Sequence, residues 1–139
     1  MANNNPISIT DTGKYPAHVI SAMHADKNLF LTTKTSLVDG GGWKLDLQHT
    51  VSIAGDSLDF DPDPDIISLD LGKCSDLDNN RLALVSIAAR LRDGGDLPAP
   101  EVLYEVSFHA DDELIDVFSI SSKKNPITFY TKVTLKLES

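Results

Sequence analysis

The residues best suited to chemistry in this chain are aspartates, and they are concentrated in one segment. Residues 56–78 hold eight aspartates and one lysine, a local charge of −7 out of −9 for the whole chain. Carboxylate oxygens are the ligands that Ca²⁺ takes in proteins, in sets of about six to eight at about 2.3–2.6 Å. Two pairs have the alternating spacing that such a site uses, and they are Asp61 with Asp63 and Asp76 with Asp78.

Neither pair matches a known calcium loop. Pro62 and Pro64 extend the backbone, so that alternate side chains diverge by about 6–7 Å rather than converge on one point. The segment that begins at Asp76 has Arg81 where an EF-hand needs glycine, which excludes that motif. A calcium site would therefore require the two pairs to meet from neighbouring loops. The competing interpretation is a solvated acidic loop that opposes the pairing of sheet edges.

Histidine and cysteine give weaker signals. His49 has the register of a buried side chain, for which a neutral imidazole bonded to a backbone group or a serine is the commoner explanation. Cys74 is the only cysteine, so no intrachain disulfide can form, and we expect it to pack as a small apolar residue.

Nucleophilic and phosphate-binding motifs are missing from the sequence. It contains no G-x-S-x-G motif, and Gly40–Gly42 precede a predicted strand rather than a helix. Among acids, only four are glutamates, and Glu105 is the only one within a strand pattern. The sequence therefore predicts a protein that is not an enzyme. A small hydrolase would require a pocket in which carboxylates or His49 converge.

The elements that must position these residues are strands. From Trp43 to Ile53 apolar residues occupy every odd position except His49, and from Ile127 to Leu137 the same alternation returns with Thr131 as its one lapse. Successive side chains of a strand point to opposite faces, so each stretch has one buried and one solvated face. This pattern is typical of half-buried antiparallel sheets.

Further strands are indicated by apolar and β-branched runs separated by turn residues. Residues 82–91 fit either a helix with a glycine cap or a central strand covered on both faces, and we favour the strand. Asp39–Gly42 predicts a hairpin turn between two strands, and the aspartate–proline segment after Gly55 predicts an exposed loop. The other predicted strands are Ile7–Ile9, Ala17–His24, Leu29–Val38, Ile66–Leu71, Val102–Phe108 and Leu114–Ser121.

These elements predict an all-β fold. About eight or nine strands, with turn signals every eight to twelve residues, are typical of a mainly antiparallel β-sandwich of jelly-roll-like or immunoglobulin-like topology. The 139 residues fit one domain, residues 1–139, with residues 1–5 as a polar N-terminal lead. No stretch has the length and hydrophobicity of a membrane helix.

The amino-acid composition limits the classes of partner that the protein is expected to bind. The acidic balance argues against nucleic acid and membrane surfaces, and the lack of a secretory signal with a single cysteine favours a soluble protein in a reducing, cytoplasmic compartment. We expect a structural or interaction subunit that self-associates, without a cofactor. The alternative is a calcium-assisted, lectin-like carbohydrate-binding module, with Asp61, Asp63, Asp76 and Asp78 on the ion and Tyr130 or Trp43 on the sugar.

Overall fold

The computed structural model is a two-layer sandwich of β-strands. It describes residues 17–38, 43–53, 55–60, 65–91, 100–123 and 126–138, so the polar lead and the predicted strand Ile7–Ile9 lie outside this part of the chain. The strands are β1 (Ala17–Ile20), β2 (Asn28–Leu37), β3 (Lys44–Ile53), β4 (Asp56–Phe60), β5 (Leu69–Lys73), β6 (Arg81–Leu91), β7 (Val102–Ala110), β8 (Glu113–Ser122) and β9 (Ile127–Leu137).

The nine strands form two sheets. The five-stranded sheet has the order β1-β9-β6-β3-β4, and the four-stranded sheet has the order β5-β2-β7-β8. Every pairing is antiparallel except that of β1 with β9, which is parallel. The predicted all-β, mainly antiparallel sandwich is therefore confirmed. No helix in the described ranges has the length and hydrophobicity required to cross a membrane.

The two strongly alternating stretches form β3 and β9, as predicted. In β3, Leu47, His49 and Val51 are buried while Lys44, Asp46 and Gln48 are exposed. In β9 the buried positions are Phe129, Thr131, Val133 and Leu135. The lapse at Thr131 therefore lies on the dry face with its aliphatic neighbours, because register and not polarity decides which face a strand residue occupies.

The ambiguous residues 82–91 belong to a strand, β6, which lies between β9 and β3 at the centre of its sheet. Its inward residues include Ser86, Ala88 and Arg90, all buried. The prediction that both faces are covered is wrong for Ile87, which remains 37% exposed on the outer face. In the described part of the chain, neighbouring side chains cover that face only in part.

The predicted strand Ala17–His24 is shorter than expected. Strand β1 ends at Ile20, and Ala22–His24 form a turn of 3₁₀ helix in which His24 N–H donates to Ser21 O at 3.0 Å. The Ser21 hydroxyl caps this turn by accepting from Met23 N–H. Serine competes for backbone hydrogen bonds in this way, and alanine and methionine favour helical geometry, so the strand stops there.

Two predicted connections are corrected. Strands β2 and β3 lie in different sheets and do not pair as the predicted hairpin; Asp39–Gly42 lie outside the described residues. The hairpin instead joins β3 to β4 at Gly55, whose φ of 85° suits a residue without a Cβ. Consequently Asp56–Phe60 are a strand and not part of an exposed loop.

Candidate functional site

In the described part of the protein, four polar side chains form a hydrogen-bond network that crosses the core. It joins Asp65, before β5, to His49 on β3, Ser86 on β6 and Tyr104 on β7. His49 Nε2 lies 3.3 Å from Asp65 Oδ1, and His49 Nδ1 lies 2.7 Å from Ser86 Oγ. The Ser86 and Tyr104 oxygens are 2.6 Å apart. The network therefore connects both sheets.

The direction of its hydrogen bonds follows from the groups present. An ionised Asp65 only accepts, so His49 donates from Nε2, and the Nδ1 of a neutral imidazole must then accept from the Ser86 hydroxyl. Ser86 Oγ in turn accepts from the Tyr104 hydroxyl. This arrangement of protons gives each of these polar atoms a partner.

Asp65 forms the outer end of the network, and its carboxylate accepts several hydrogen bonds. It accepts from Thr33 Oγ1 at 3.0 Å, from Thr35 N–H at 2.8 Å and from Thr35 Oγ1 at 3.0 Å, in addition to His49. Burial of Asp65 opposes its ionisation, but these hydrogen bonds outweigh burial and hold its pKa below the ordinary value. The segment that carries Asp65 is therefore fastened to β2.

The residues of this network are those of an Asp–His–Ser relay, but the position of the network does not suit catalysis. Ser86 and His49 are each only 1% exposed, and Tyr104 is fully buried, with its ring stacked on Phe129. Burial raises the pKa of the Tyr104 hydroxyl, so it stays protonated. A nucleophile must be reachable by substrate, and Ser86 is not. The network binds the two sheets together.

The predicted calcium ligands are divided by the structure. Asp61 and Asp63 lie outside the described residues, whereas Asp76 and Asp78 are exposed beside β9. Asp78 Oδ1 accepts from Leu137 N–H at 2.8 Å, so this carboxylate already fastens a turn to the sheet. Within the described residues, no three His, Cys, Asp or Glu side chains are arranged to hold a metal. The four-aspartate site stays a prediction.

If those four aspartates hold calcium, millimolar Ca²⁺ should raise the melting temperature by about 3 °C or more, because a ligand that binds only the native state stabilises it. Differential scanning fluorimetry of the full chain measures this. Asp76→Asn should remove the shift, and Asp46→Asn, at an exposed position on β3, should keep it. An unchanged melting temperature would eliminate the calcium site.

The two aromatic residues predicted as alternative sugar contacts lie far apart, and each stays a prediction. Tyr130, on the solvated side of β9, is half-buried with the Lys132 ammonium 5.1 Å from its ring centroid. Its neighbours across the sheet are Val85 and then Thr50. The half-buried Trp43 is seven residues before Thr50, which corresponds to about 23 Å along a strand. One sugar ring does not span that separation.

Two further histidines lie along the side of the sandwich where β1 approaches β8. His18 Nε2 is 3.5 Å from Asp116 Oδ2, and His24 Nε2 is 3.8 Å from Glu113. The His18 ring packs between Phe108 and Phe118. Both imidazoles are buried, so these groups close one side of the sandwich.

A concave feature accessible to solvent is a pocket of about 570 Å³ on the outer face of the four-stranded sheet. It is lined by Phe30, Ser68, His109, Asp111 and Asp112. Asp111 adopts a φ of 51° in the turn between β7 and β8, and its Oδ1 accepts from Asn28 N–H at 3.0 Å. The pocket thus combines one aromatic side chain with two carboxylates.

The sequence predicted a backbone group or a serine as the partner of His49, and the partner is Ser86; Asp65, Tyr104 and the pocket were missed. Asp65 is one of eight aspartates in its segment, and nothing in its local sequence distinguishes it from the rest. Comparisons with protein families, curated proteins and solved structures found no match for this chain.

Proposed function

We propose that this chain is a non-enzymatic structural subunit that self-associates through the free edge of β8. The observation that carries the proposal is the character of that edge. Strand β8 is ten residues long, and within the described ranges it pairs with β7 on one side and with no strand on the other. A long edge strand presents a row of backbone groups that another strand can pair with.

The other three sheet edges are protected. Strand β1 has four residues, and β4 and β5 have five each. Strand β4 carries Asp56, and β5 carries Asp70 and Lys73. Short length and charge are means by which proteins prevent edge pairing. In β8 the charged residues Glu113 and Asp116 lie among the first four residues, and Val117–Ser122 carry no charge.

Apolar side chains are exposed along the same strand. Leu114 is 54% exposed, Val117 47% and Ile120 39%. Leu103, beside Ser121 on the neighbouring β7, is also exposed. A partner strand would cover these side chains and supply backbone hydrogen bonds together. The hydrophobic effect would then favour the association that the edge permits.

The location of the reactive groups supports a role without catalysis. Ser86, His49 and Cys74 lie in the core, and burial together with the negative charge of Asp111 raises the pKa of the Cys74 thiol. A thiol held protonated is a poor nucleophile.

Val117→Lys should raise the dissociation constant of the self-associated form at least about tenfold, because it places one charge per copy in the middle of the paired strands. Val117 points away from the core, beside Ser107, so the fold should be retained. Sedimentation velocity between about 1 and 100 µM, a range that spans ordinary micromolar affinities, measures the change. Circular dichroism confirms the β-structure.

The matched control is Ile87→Lys, which makes the same change of charge at an exposed apolar residue of the central strand β6. It should associate like the unmodified chain. An unmodified chain that is a monomer at about 100 µM, or a Val117→Lys variant that associates as strongly as the control, would overturn the proposal.

A further inference from the structure

The charges of β8 are distributed unequally along its length. Asp112 and Glu113 lie at its start, and Lys123 follows its last residue. If two copies pair through β8 in antiparallel orientation, each acidic start meets the basic end of the other copy. Parallel pairing would set like charges side by side, which costs free energy. The charge distribution therefore favours a two-fold dimer in which both copies use the same edge.

The position of Lys123 is defined by its neighbours. Val117, Ser119 and Ser121 pair with the outward residues of β7, so continued alternation places Lys123 on the outer face as well. Arg90 Nη1 donates to the Ser122 carbonyl at 3.2 Å and to the Pro100 carbonyl at 2.6 Å. This buried guanidinium fixes the end of β8, from which the exposed Lys123 extends.

The pocket lies on that same face, at the opposite end of β8. Phe30 on β2 pairs with His109 on β7, and His109 pairs with Leu114 on β8. A strand added beside β8 is about 4.8 Å away, and His109 is one strand spacing beyond β8. The flexible four-carbon stem of a lysine on that added strand crosses one strand spacing, over β8, and brings its ammonium to Asp112 in the turn between β7 and β8.

The chemistry of the pocket fits a lysine. Two carboxylates, Asp111 and Asp112, lie at the side of the pocket next to β8 and attract the ammonium group. Within the part of the chain that the structure describes, neither Asp112 nor Lys123 forms an ion pair. Both groups are thus available to a second copy.

We infer that Asp112, at the β8 side of the pocket lined by Phe30, Ser68, His109, Asp111 and Asp112, binds the Lys123 ammonium of a second copy, paired antiparallel through β8. The inference rests on the proposed self-association through this edge. It assigns the partner, the direction of pairing and a site that is occupied twice in each dimer.

Charge reversal tests it. Lys123→Glu alone places an introduced glutamate against Asp112 at both sites of the homodimer, and Asp112→Lys alone places an introduced lysine against Lys123 at both. Each variant should dimerise at least about tenfold more weakly than the unmodified chain. Asp112 does not have a positive φ, so lysine is compatible with its place in the turn.

A mixture of the two variants should regain the affinity of the unmodified chain. In the mixed dimer, the glutamate introduced at position 123 of one copy faces the lysine introduced at position 112 of the other. The second site keeps its original contact between Lys123 and Asp112. Differently labelled variants and fluorescence energy transfer report the mixed dimer. Lys44→Glu, an equal charge change at an exposed lysine of β3, should leave dimerisation unchanged.

The outcomes separate the inference from the proposed function. If Val117→Lys abolishes dimers but both charge reversals leave them intact, edge pairing stands and the lysine pocket is refuted. If both reversals weaken dimers but the mixture does not recover, the antiparallel arrangement is wrong. If Val117→Lys has no effect, the edge itself is not the interface.

Discussion

Replacing His49 with alanine is expected to lower the free energy of unfolding by about 3–5 kcal/mol, because a buried cavity and lost hydrogen bonds add together. The imidazole is the middle member of the network that runs from Asp65 to Tyr104, and each of its nitrogens has a hydrogen-bond partner. Its loss takes one donor from Asp65 and leaves the Ser86 hydroxyl without its acceptor. Urea denaturation near neutral pH measures the change.

Two further variants locate the source of that loss. Tyr104→Phe removes only the hydroxyl at the inner end of the network and should cost about 1–2 kcal/mol. Combined with His49→Ala, its effect should be less than additive, because Ser86 links the two groups and one deletion already disturbs it. Asp46→Ala, at an exposed site on the same strand, should stay within about 0.5 kcal/mol of the unmodified chain. A loss below about 1 kcal/mol for His49→Ala would contradict a structural role for the network.

Acidification should destabilise the protein by up to about 3 kcal/mol between about pH 6.5 and pH 4 through His18 alone. Burial between Phe108 and Phe118 lowers the His18 pKa from 6.5 to about 4, and it outweighs the attraction of Asp116 3.5 Å away. The unfolded chain therefore binds a proton below pH 6.5 that the folded chain does not bind until about pH 4. This contribution to stability is complete above pH 6.5, falls through the window and levels off below it.

The comparison with His18→Leu isolates this contribution. Leucine keeps an apolar side chain between the two phenylalanines and removes the titration, so its advantage over the unmodified chain should grow as the pH falls from 6.5 to about 4. His18→Gln, which is polar and does not titrate, should lose the same pH dependence while costing stability at neutral pH. Parallel stability curves for the unmodified chain and both variants would show that His18 is not the responsible group.

His49 and His18 lie in the interior, whereas the proposed interface lies at one sheet edge. The core network and His18 close the sandwich on itself, and they remove the imidazoles and the hydroxyl of Ser86 from solvent. Strand β8 leaves backbone and apolar side chains accessible. A rigid interior holds such an edge in a single geometry, which lowers the entropic cost of pairing with a second copy.

Much of the strand structure was predictable because it depends on local pattern. The alternation in β3 and β9 identifies both strands and their buried faces from sequence alone. The turn at Asp111–Asp112 between β7 and β8 was likewise predictable, because these residue types favour turns. Which strands pair with each other was not predictable from the sequence. The glycine run after β2 predicted a hairpin, and the sheet order excludes it. A glycine-rich segment permits a turn but does not select which strand follows as a neighbour.

The candidate site was predictable only in part. The register of β3 placed His49 in the core and implied a hydrogen-bond partner for it. Asp65 reaches it from a segment sixteen residues further along the chain, fastened there by threonines of β2. Arg90 is a similar case, because an arginine in an apolar strand gives no local sign that its guanidinium will be buried against two carbonyls.

The order of residue types is enough to establish which faces of the strands are dry, because side-chain direction alternates with every residue and depends on no distant contact. It also establishes the acidic charge, the single cysteine and the unequal charges at the ends of β8. The packing of the two sheets, by contrast, brings His49 to Asp65 and Ser86 and leaves β8 at an edge next to an acidic pocket. Those contacts join residues far apart in the chain, and their free energy depends on how whole sheets pack, which no local pattern records.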